Sequence, residues 1–320
     1  MTTYNYNSEL IKAMNEKLPN GTNLANTLID MLYLGKEAVY RRLRGEVPFT
    51  LAEAAMISQK MGVSLDKLAG TNVYSNAIFD LNIIRQTDPL ETYYSIVDNY
   101  VKIFRDLNHD PSSELCTSSN MIPQTFYLKY ELLSKFRMFK WIYQFEKIDI
   151  EKHFEDIEIV DKLLEKQREF VRESQEFQHT EYIWDNKLFI YLINDIKYFA
   201  SVHLISQEYV QKLKKELLQL LNELEEIATR GTFKTGREVC IYISNINFEA
   251  TYSYIASSAY HISLVRVFAI NSFATRDEQV FNSVKEWIHS LKRHSTLISQ
   301  SGEIQRMMFF NEQKKVVDAL

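Results

Sequence analysis

Apolar residues recur every three or four positions through residues 1–70, and short breaks divide this pattern into five predicted helices. Ser8 is a candidate N-cap of the first helix, which ends before a Pro-Asn-Gly break at 19–21. The second helix is predicted to start near Thr22 or Asn23, whose side chains can cap it. The pattern therefore predicts a small helical domain over residues 1–70.

The other three helices of this domain have clear boundary signals. The third covers residues 36–44, and Gly45 follows it at a position where a left-handed residue is favoured. Thr50 and Glu53 have the spacing of a capping box, which predicts the start of the fourth helix. A glycine ends that helix, and a last short helix runs to residue 68.

Residues 71–88 are interpreted as a linker that contains one possible strand. Within it, Ala77, Phe79, Leu81 and Ile83 alternate with other side chains in a period of two, which is typical of a strand. Helix signals return directly after the linker, beginning with Pro at a first helical position.

Residues 89–320 are predicted to form a larger, mainly helical domain. Its predicted helices cover 89–107, 123–146, 149–175, 181–203, 206–230, 275–294 and 301–319. The β-branched and aromatic segment at about 237–270 predicts two or three antiparallel strands. The expected fold class is therefore mainly α, with a five-helix N-terminal domain and a larger helical domain that contains a small antiparallel sheet.

Composition agrees with a helical chain and excludes several kinds of site. No Gly occurs between Gly70 and Gly231, and no Pro follows Pro123, so helix-breaking residues are rare. The two cysteines match no metal or disulfide spacing, and the seven histidines are scattered. We therefore expect no metal, no cofactor and two buried, reduced thiols.

Charge and hydropathy suggest where the protein acts. The net charge is −5, yet residues 1–70 carry eight Lys/Arg against seven Asp/Glu, so the acidity lies in the rest of the chain. The N-terminus lacks an apolar signal core, and no apolar stretch is long enough to span a bilayer. These features predict a cytoplasmic protein with no membrane partner.

The segment 24–70 resembles the helix-turn-helix domains of the phage repressor and Cro class, often called XRE-type. The resemblance rests on an apolar helix, a tight turn, a short helix ending in Leu-Arg-Gly at 43–45, a polar loop with Pro48 and the closing stretch 61–68. It covers about a fifth of the chain. It implies a helix-turn-helix fold and DNA binding, with the helix at 36–44 as the recognition helix.

The turn between the second and third helices departs from the family pattern. That pattern has Gly at the first turn position and Ser or Thr as a cap at the third. Here Tyr33 occupies the first position and Gly35 the third. Glycine is an acceptable helix cap, only slightly worse than serine, so we expect the domain to keep its DNA-binding function.

The third helix should direct a polar face outward, because Val39 and Leu43 belong to its apolar side. The predicted DNA-contacting residues of this helix are Lys36, Glu37, Tyr40, Arg41 and Arg44. Arg41 is suited to guanine O6 and N7, and Glu37 to the amino group of cytosine. Tyr40 is suited to a phosphate or a thymine methyl group. The competing interpretation is a solvated, charged helix face.

Phosphate contacts are expected on both sides of this helix. Arg44 and Thr50 flank the groove-facing surface. Thr22 and Asn23 lie at the start of the second helix, whose free N–H groups can bind another phosphate. Arg42 lies beside the core-facing side, so we expect a structural pairing with Glu46 or Glu53.

The resulting hypothesis is a sequence-specific, dimeric transcriptional regulator that binds double-stranded DNA. The larger domain would serve dimerisation or the sensing of a small-molecule or peptide effector. The aromatic band at 126–145 is either ordinary core or the lining of a ligand pocket. The chain has no nucleotide-binding loop, nucleophile elbow or zinc motif, so we do not expect an enzyme. The alternatives are an enzyme or a protein-interaction module that carries a helix-turn-helix targeting domain.

Overall fold

The computed structural model describes residues 5–18, 22–68, 77–84, 88–145, 153–267 and 270–320. Contacts divide the chain into a first unit, Met1–Ala77, and a second unit, Ile78–Leu320. The predicted break at 19–21, much of the predicted linker and the beginning of the helix predicted from residue 149 lie outside the described residues.

The first unit is helical wherever it has regular structure among its described residues. Its elements are α1 (Tyr6–Lys17), α2 (Leu24–Leu32), α3 (Lys36–Leu43), α4 (Leu51–Met61) and α5 (Leu65–Leu68). Met14, Leu28, Val39 and Ile57 are fully buried in its core. Because these side chains come from four different helices, packing of their apolar faces holds the unit together.

Local capping signals explain most of the helix boundaries in this unit. Asn23 caps α2, and the predicted capping box of Thr50 and Glu53 at the start of α4 is confirmed. Gly62 ends α4 in the left-handed conformation. The predicted Ser8 cap is wrong, because α1 begins earlier and its cap is Asn5, which accepts a hydrogen bond from the Ser8 N–H.

The second unit combines helices with a central sheet. Its helices are α6 (Pro89–Asn108), α7 (Gln124–Tyr127), α8 (Glu131–Phe145), α9 (Asp161–Glu173), α10 (Ile190–Ser201), α11 (Gln207–Arg230), α12 (Glu278–Arg293) and α13 (Glu303–Asp318). A short 3-10 turn covers Phe154–Asp156. Its strands are β1 (Asp80–Asn82), β2 (Glu114–Ser119), β3 (His179–Trp184), β4 (Val239–Ser244), β5 (Tyr252–Ala256), β6 (His261–Val267), β7 (Asn271–Thr275) and β8 (Ser295–Leu297).

The expectation of a mainly α fold with a small antiparallel sheet is wrong. The described residues form an eight-stranded mixed sheet in the order β1-β7-β6-β5-β2-β3-β4-β8. β2, β3 and β4 are parallel neighbours, joined by helical crossovers, and the other neighbouring pairs are antiparallel. The two long crossovers are helical, and they produced the helical pattern in the sequence. The parallel strands that they connect are short and buried, so they were missed.

Helices cover both faces of the sheet. In β3, Tyr182 and Trp184 point to the face packed by α6–α11 and α13, whereas Ile183 points to the opposite face. That opposite face is covered by α12 through side chains such as Phe281 and Ile288. This alternation is the ordinary two-residue period of a strand, and here both faces are apolar.

Several predicted elements of this unit differ from the structure. The helix predicted over 181–203 begins with most of β3, and only its second half is α10. β2 and β8 were not expected at all. The predicted helix starts at Thr275 and Ser301 are also displaced, because Asp277 caps α12 and Gly302 precedes α13.

The aromatic band at 126–145 belongs mainly to the core. Phe126, Phe136, Phe139 and Trp141 are at most 2% exposed.

Among the residues described, no helix combines the length and the apolar character that a membrane crossing requires.

Candidate nucleic-acid interface

Tyr33 and Gly35 form the turn between α2 and α3, with the left-handed residue first and the N-cap of α3 third. Tyr33 ends α2 in the left-handed conformation, with φ 55° and ψ 35°. Gly35 has extended backbone angles and is the N-cap of α3, without a side chain to bond the first N–H groups. The tyrosine side chain is 84% exposed, and the Lys60 ammonium lies 5.8 Å from its ring centroid. The turn therefore forms, but the left-handed backbone conformation of Tyr33 raises the free energy of the folded state.

We expect Tyr33→Gly to stabilise the first unit by about 1 kcal/mol. A left-handed conformation costs a residue with a β-carbon about 1–2 kcal/mol, and only part of this gain is offset by the greater flexibility of glycine in the unfolded chain. Hydrogen exchange at the α2 and α3 amides measures the change. Tyr33→Ala is the control, since it removes the ring but keeps the β-carbon. An equal gain in both variants would assign the effect to the ring.

The outer face of α3 collects most of the predicted DNA-contacting side chains. Lys36, Glu37, Arg41 and Arg44 are all exposed. Tyr40 is half-buried and packs against the core of the first unit. Its ring lies 6.0 Å from the Lys36 ammonium. The structure thus brings these residues onto one surface, with Tyr40 at its inner margin.

Acidic side chains hold both arginines of this surface. Arg44 donates to Glu46 at 2.6 Å and to Glu37 at 3.0 Å. Arg41 lies 3.4 Å from Glu46, between its Nε and a carboxylate oxygen. The hydrogen bond from Arg44 lowers the pKa of Glu46, and the same contact raises the pKa of Arg44. The sequence prediction missed this role of Glu46, although its position two residues beyond Arg44 is a usable signal.

These ion pairs lie at the surface, so they constrain the arginines only weakly. The side chain of Arg41 is 53% exposed and that of Glu46 is 47% exposed. Exposed pairs contribute little to stability and are screened by salt. A phosphate or a base edge can therefore replace the carboxylates at low cost.

A buried pair behind this surface fixes α3 to α4. Arg42 donates to both carboxylate oxygens of Glu53, at 2.9 and 2.8 Å, and also to the Ala38 carbonyl at 3.1 Å. Burial alone would raise the pKa of Glu53, but hydrogen bonds from Arg42 and Thr50 lower it. The expectation that Arg42 is structural is confirmed, with Glu53 as its partner.

Asn7 joins α1 to this arrangement, a role that sequence reasoning missed. Its amide donates to the Arg42 carbonyl at 3.3 Å and accepts from the Phe49 N–H at 3.0 Å. Both partners lie in or next to the segment between α3 and α4. A polar residue near the start of α1 is too common a feature to have predicted this link.

The predicted phosphate-contacting residues are exposed and lie at helix ends. The Thr50 hydroxyl accepts the Glu53 N–H at 3.3 Å, so it serves α4 as a cap. The Asn23 side chain accepts the Asn26 N–H at 3.3 Å, so it serves α2 as a cap. Thr22 is exposed beside it. The first N–H groups of α2 remain the groups suited to a phosphate there.

The second unit contains one cluster of side chains that could suggest catalysis. Glu181 on β3 contacts His179 at 3.0 Å, Lys292 of α12 and the Cys116 sulfur at 3.8 Å. Cys116 is fully buried, and its burial, followed by the charge of Glu181, raises the pKa of the thiol. A covered, protonated thiol is a poor nucleophile. Cys240 is only half-buried, and neither cysteine forms a disulfide.

Because of this cluster, the stability of the second unit should depend on pH in the acid range. Burial alone would raise the pKa of Glu181, but His179 and Lys292 lower it from 4.5 to about 2. Its stabilising contribution is complete above pH 4.5 and is lost as the pH falls toward 2. The shift corresponds to about 3 kcal/mol.

Urea unfolding followed by tryptophan fluorescence tests this dependence, because all three tryptophans lie in the second unit. Glu181→Gln should be less stable than the unmodified protein at pH 6, and the difference should shrink as the pH approaches 2. A constant difference across this range would assign the acid sensitivity to other groups.

Comparisons of the chain with family models, with curated proteins and with solved structures found no match. Among the described residues, no group of three or more His, Cys, Asp or Glu side chains is arranged to hold a metal ion.

Proposed function

We propose that this protein is a sequence-specific transcriptional regulator that acts in the cytoplasm and binds double-stranded DNA through α3. The observation that carries the proposal is the outer face of α3, where Lys36, Arg41 and Arg44 are exposed on a helix fixed from behind by a buried ion pair. An eight-residue helix is about 12 Å long, which suits the width of the major groove.

The contacts follow from the position of each side chain on α3. Lys36 and Glu37 lie at its N-terminal end, the part that usually comes nearest the base edges. Arg41 lies one turn further and presents a planar fork to guanine. Arg44, Thr50 and the start of α2 bind phosphates and orient the helix.

The proposed active form is a dimer. One recognition helix of two turns contacts too few bases for useful specificity, whereas two copies on an inverted repeat double the contacts. The second unit would then dimerise, sense an effector, or do both.

A protein-interaction module is the second candidate, and the acidic residues of the surface favour it. Glu37 and Glu46 neutralise much of the positive charge on the α3 face. A surface of mixed charge also suits a protein partner with complementary charges. The two functions differ in their response to the same substitutions.

The test begins with selection of bound duplexes from a random-sequence DNA library by the full-length protein. Fluorescence anisotropy then gives the affinity for the selected duplex across a salt series. Arg41→Ala should cost about 1–3 kcal/mol of binding, or roughly 5- to 150-fold, and should relax specificity at one base pair. Glu46→Gln should strengthen binding, because it releases Arg41 toward guanine and Arg44 toward a phosphate.

Arg230→Ala, an exposed residue at the end of α11, is the matched control and should leave the affinity unchanged. Failure to enrich any duplex, or equal affinity of the Arg41→Ala variant, would contradict DNA recognition by α3. Binding that ignores sequence and vanishes at moderate salt would indicate charge attraction only.

A further inference from the structure

The second unit contains a cavity between its helical layer and the antiparallel half of the sheet. It is bounded by α6, α7 and α9 on one side and by β2, β5, β6 and β7 on the other. The cavity volume is about 90 Å³, several times the roughly 10–15 Å³ that one water molecule requires. Its walls are mainly aromatic and aliphatic, and they include Tyr100, Phe104 and Phe170.

Arg266 of β6 is the cationic residue of this lining. Its Nη1 atom is buried and has no hydrogen-bond partner, and no described acidic side chain forms an ion pair with it. Burial lowers the pKa of Arg266, although an arginine side chain stays charged in proteins. Arg266 as a whole is half-buried, and a buried guanidinium N–H group without a partner is energetically costly.

Further buried donors without partners lie in the second unit, outside the lining of this cavity. The Arg137 Nε, the Gln167 Nε2 and the Tyr127 hydroxyl are buried and have no hydrogen-bond partner among the described residues. The Gln167 carbonyl oxygen already accepts the Ser134 hydroxyl at 2.7 Å, so its amide hydrogens are the groups left over.

Tyr93 of α6 lines the cavity together with Arg266. Burial and the neighbouring Tyr127 raise the pKa of Tyr93, while Arg266 and Arg137 oppose the rise. Within the cavity lining itself, the guanidinium of Arg266 and the phenols of Tyr93 and Tyr100 are the large polar groups among mainly apolar walls, an arrangement that an anion stabilises.

We propose that this cavity binds a small organic carboxylate. Its carboxylate group accepts hydrogen bonds from Arg266 at the polar end, and its apolar part lies against Tyr100, Phe104 and Phe170. A single negative charge fits best, because Arg266 lines the cavity whereas Arg137 lines the wall of a neighbouring, smaller one. The planar guanidinium matches a carboxylate in a bidentate geometry.

The inference concerns the cavity and does not require that α3 bind DNA. Only the further step, that the carboxylate is an effector changing DNA affinity, rests on the proposed function. A failure of carboxylate binding would leave the test of α3 unaffected, and a failure of DNA binding would leave the cavity's chemistry unaffected.

Isothermal titration and thermal unfolding of the full-length protein test the proposal with acetate, propionate, butyrate and hexanoate at constant ionic strength. The corresponding amides and inorganic phosphate are the comparison ligands. We expect saturable binding and a raised Tm with at least one carboxylate, and neither effect with its amide or with phosphate. Equal binding of an amide, preference for phosphate, or no binding by any carboxylate would overturn the proposal.

Arg266→Met is the decisive variant, because it keeps an unbranched side chain and removes the charge and all of its N–H donors. Carboxylate binding should weaken by about 10- to 150-fold, the range of a hydrogen bond to a charged group. The ligand-free variant should unfold at a higher temperature than the unmodified protein, which a merely structural arginine would not produce.

Arg276→Met is the matched control. This arginine is exposed and lies over the Tyr260 ring at 4.7 Å, outside the cavity lining. It should leave carboxylate binding unchanged. Retained binding in Arg266→Met, or equal losses in both variants, would overturn the assignment of Arg266 as the anion-binding group.

Discussion

Glu53→Ala is expected to destabilise the first unit by about 3 kcal/mol, the lower end of the loss seen when one partner of a buried ion pair is removed. The side chains of Arg42 and Glu53 are only 14% and 11% exposed, so the change leaves a largely buried guanidinium without its carboxylate. It also removes the acceptor that caps the Thr50 N–H at the start of α4.

Hydrogen exchange measured by mass spectrometry on the full-length protein gives the free energy of opening for α3 and α4. Glu37→Ala is the control, because its pair with Arg44 is exposed and should contribute little. Adding Arg42→Met to the Glu53→Ala variant should recover part of the loss, since it removes the unpaired charge. A loss no larger than that of Glu37→Ala would mean that water replaces the carboxylate without penalty.

The Glu53→Ala change should also affect the proposed DNA binding, although Glu53 lies behind the α3 surface. α3 owes its fixed orientation to the pair between Arg42 and Glu53 and to the Asn7 hydrogen bonds. A recognition helix must hold its side chains in register with the base pairs, so a looser helix should lose specificity before it loses nonspecific affinity. Comparing selected and random duplexes for the Glu53→Ala variant measures this difference.

The second large effect is expected at Gly302, which precedes α13. Its φ is +62°, and a β-carbon there would overlap the backbone carbonyl oxygen of Leu297 in β8. Gly302→Ala should therefore destabilise the second unit by about 3 kcal/mol, which combines the left-handed backbone cost with the cost of moving β8 or α13.

Gly236→Ala separates these two contributions. Gly236 also has a positive φ, +87°, but no atom lies within 4 Å of the position that a β-carbon would take. It should cost only the backbone term, about 1 kcal/mol. Urea unfolding followed by tryptophan fluorescence measures both variants, since Trp184 lies at the ring of Phe309 in α13, with centroids 6.1 Å apart. Equal losses would mean that the loop before α13 moves freely.

The candidate interface was predictable because its signals are local. The Asn23 cap, the capping box of Thr50 and Glu53, and the inward-facing Val39 each depend on residues within one or two helical turns. The same local reasoning placed Glu37, Arg41 and Arg44 on the exposed side of α3, but not Tyr40, which is half-buried against the core. It did not reveal Glu46 as the partner of both arginines, because that depends on how the chain bends after α3.

The sheet was not predictable by the same means. β2 reads Glu-Leu-Cys-Thr-Ser-Ser, and its small polar residues are buried between neighbouring strands. β3 contains Tyr182, Ile183 and Trp184 in succession, because both of its faces are covered by helices. Such strands lack the alternation of polar and apolar residues that distinguishes a strand from a helix in sequence.

The sequence alone determined the helices of the first unit, the caps of α2 and α4, and most of the polar face of α3, since each follows from side chains a few positions apart. The tertiary structure decided the mixed sheet, the network around Glu181 and the cavity that holds Arg266. These features join residues more than 60 positions apart, such as Cys116 and Glu181. Their partners are chosen by strand order and burial, which no local pattern along the chain encodes.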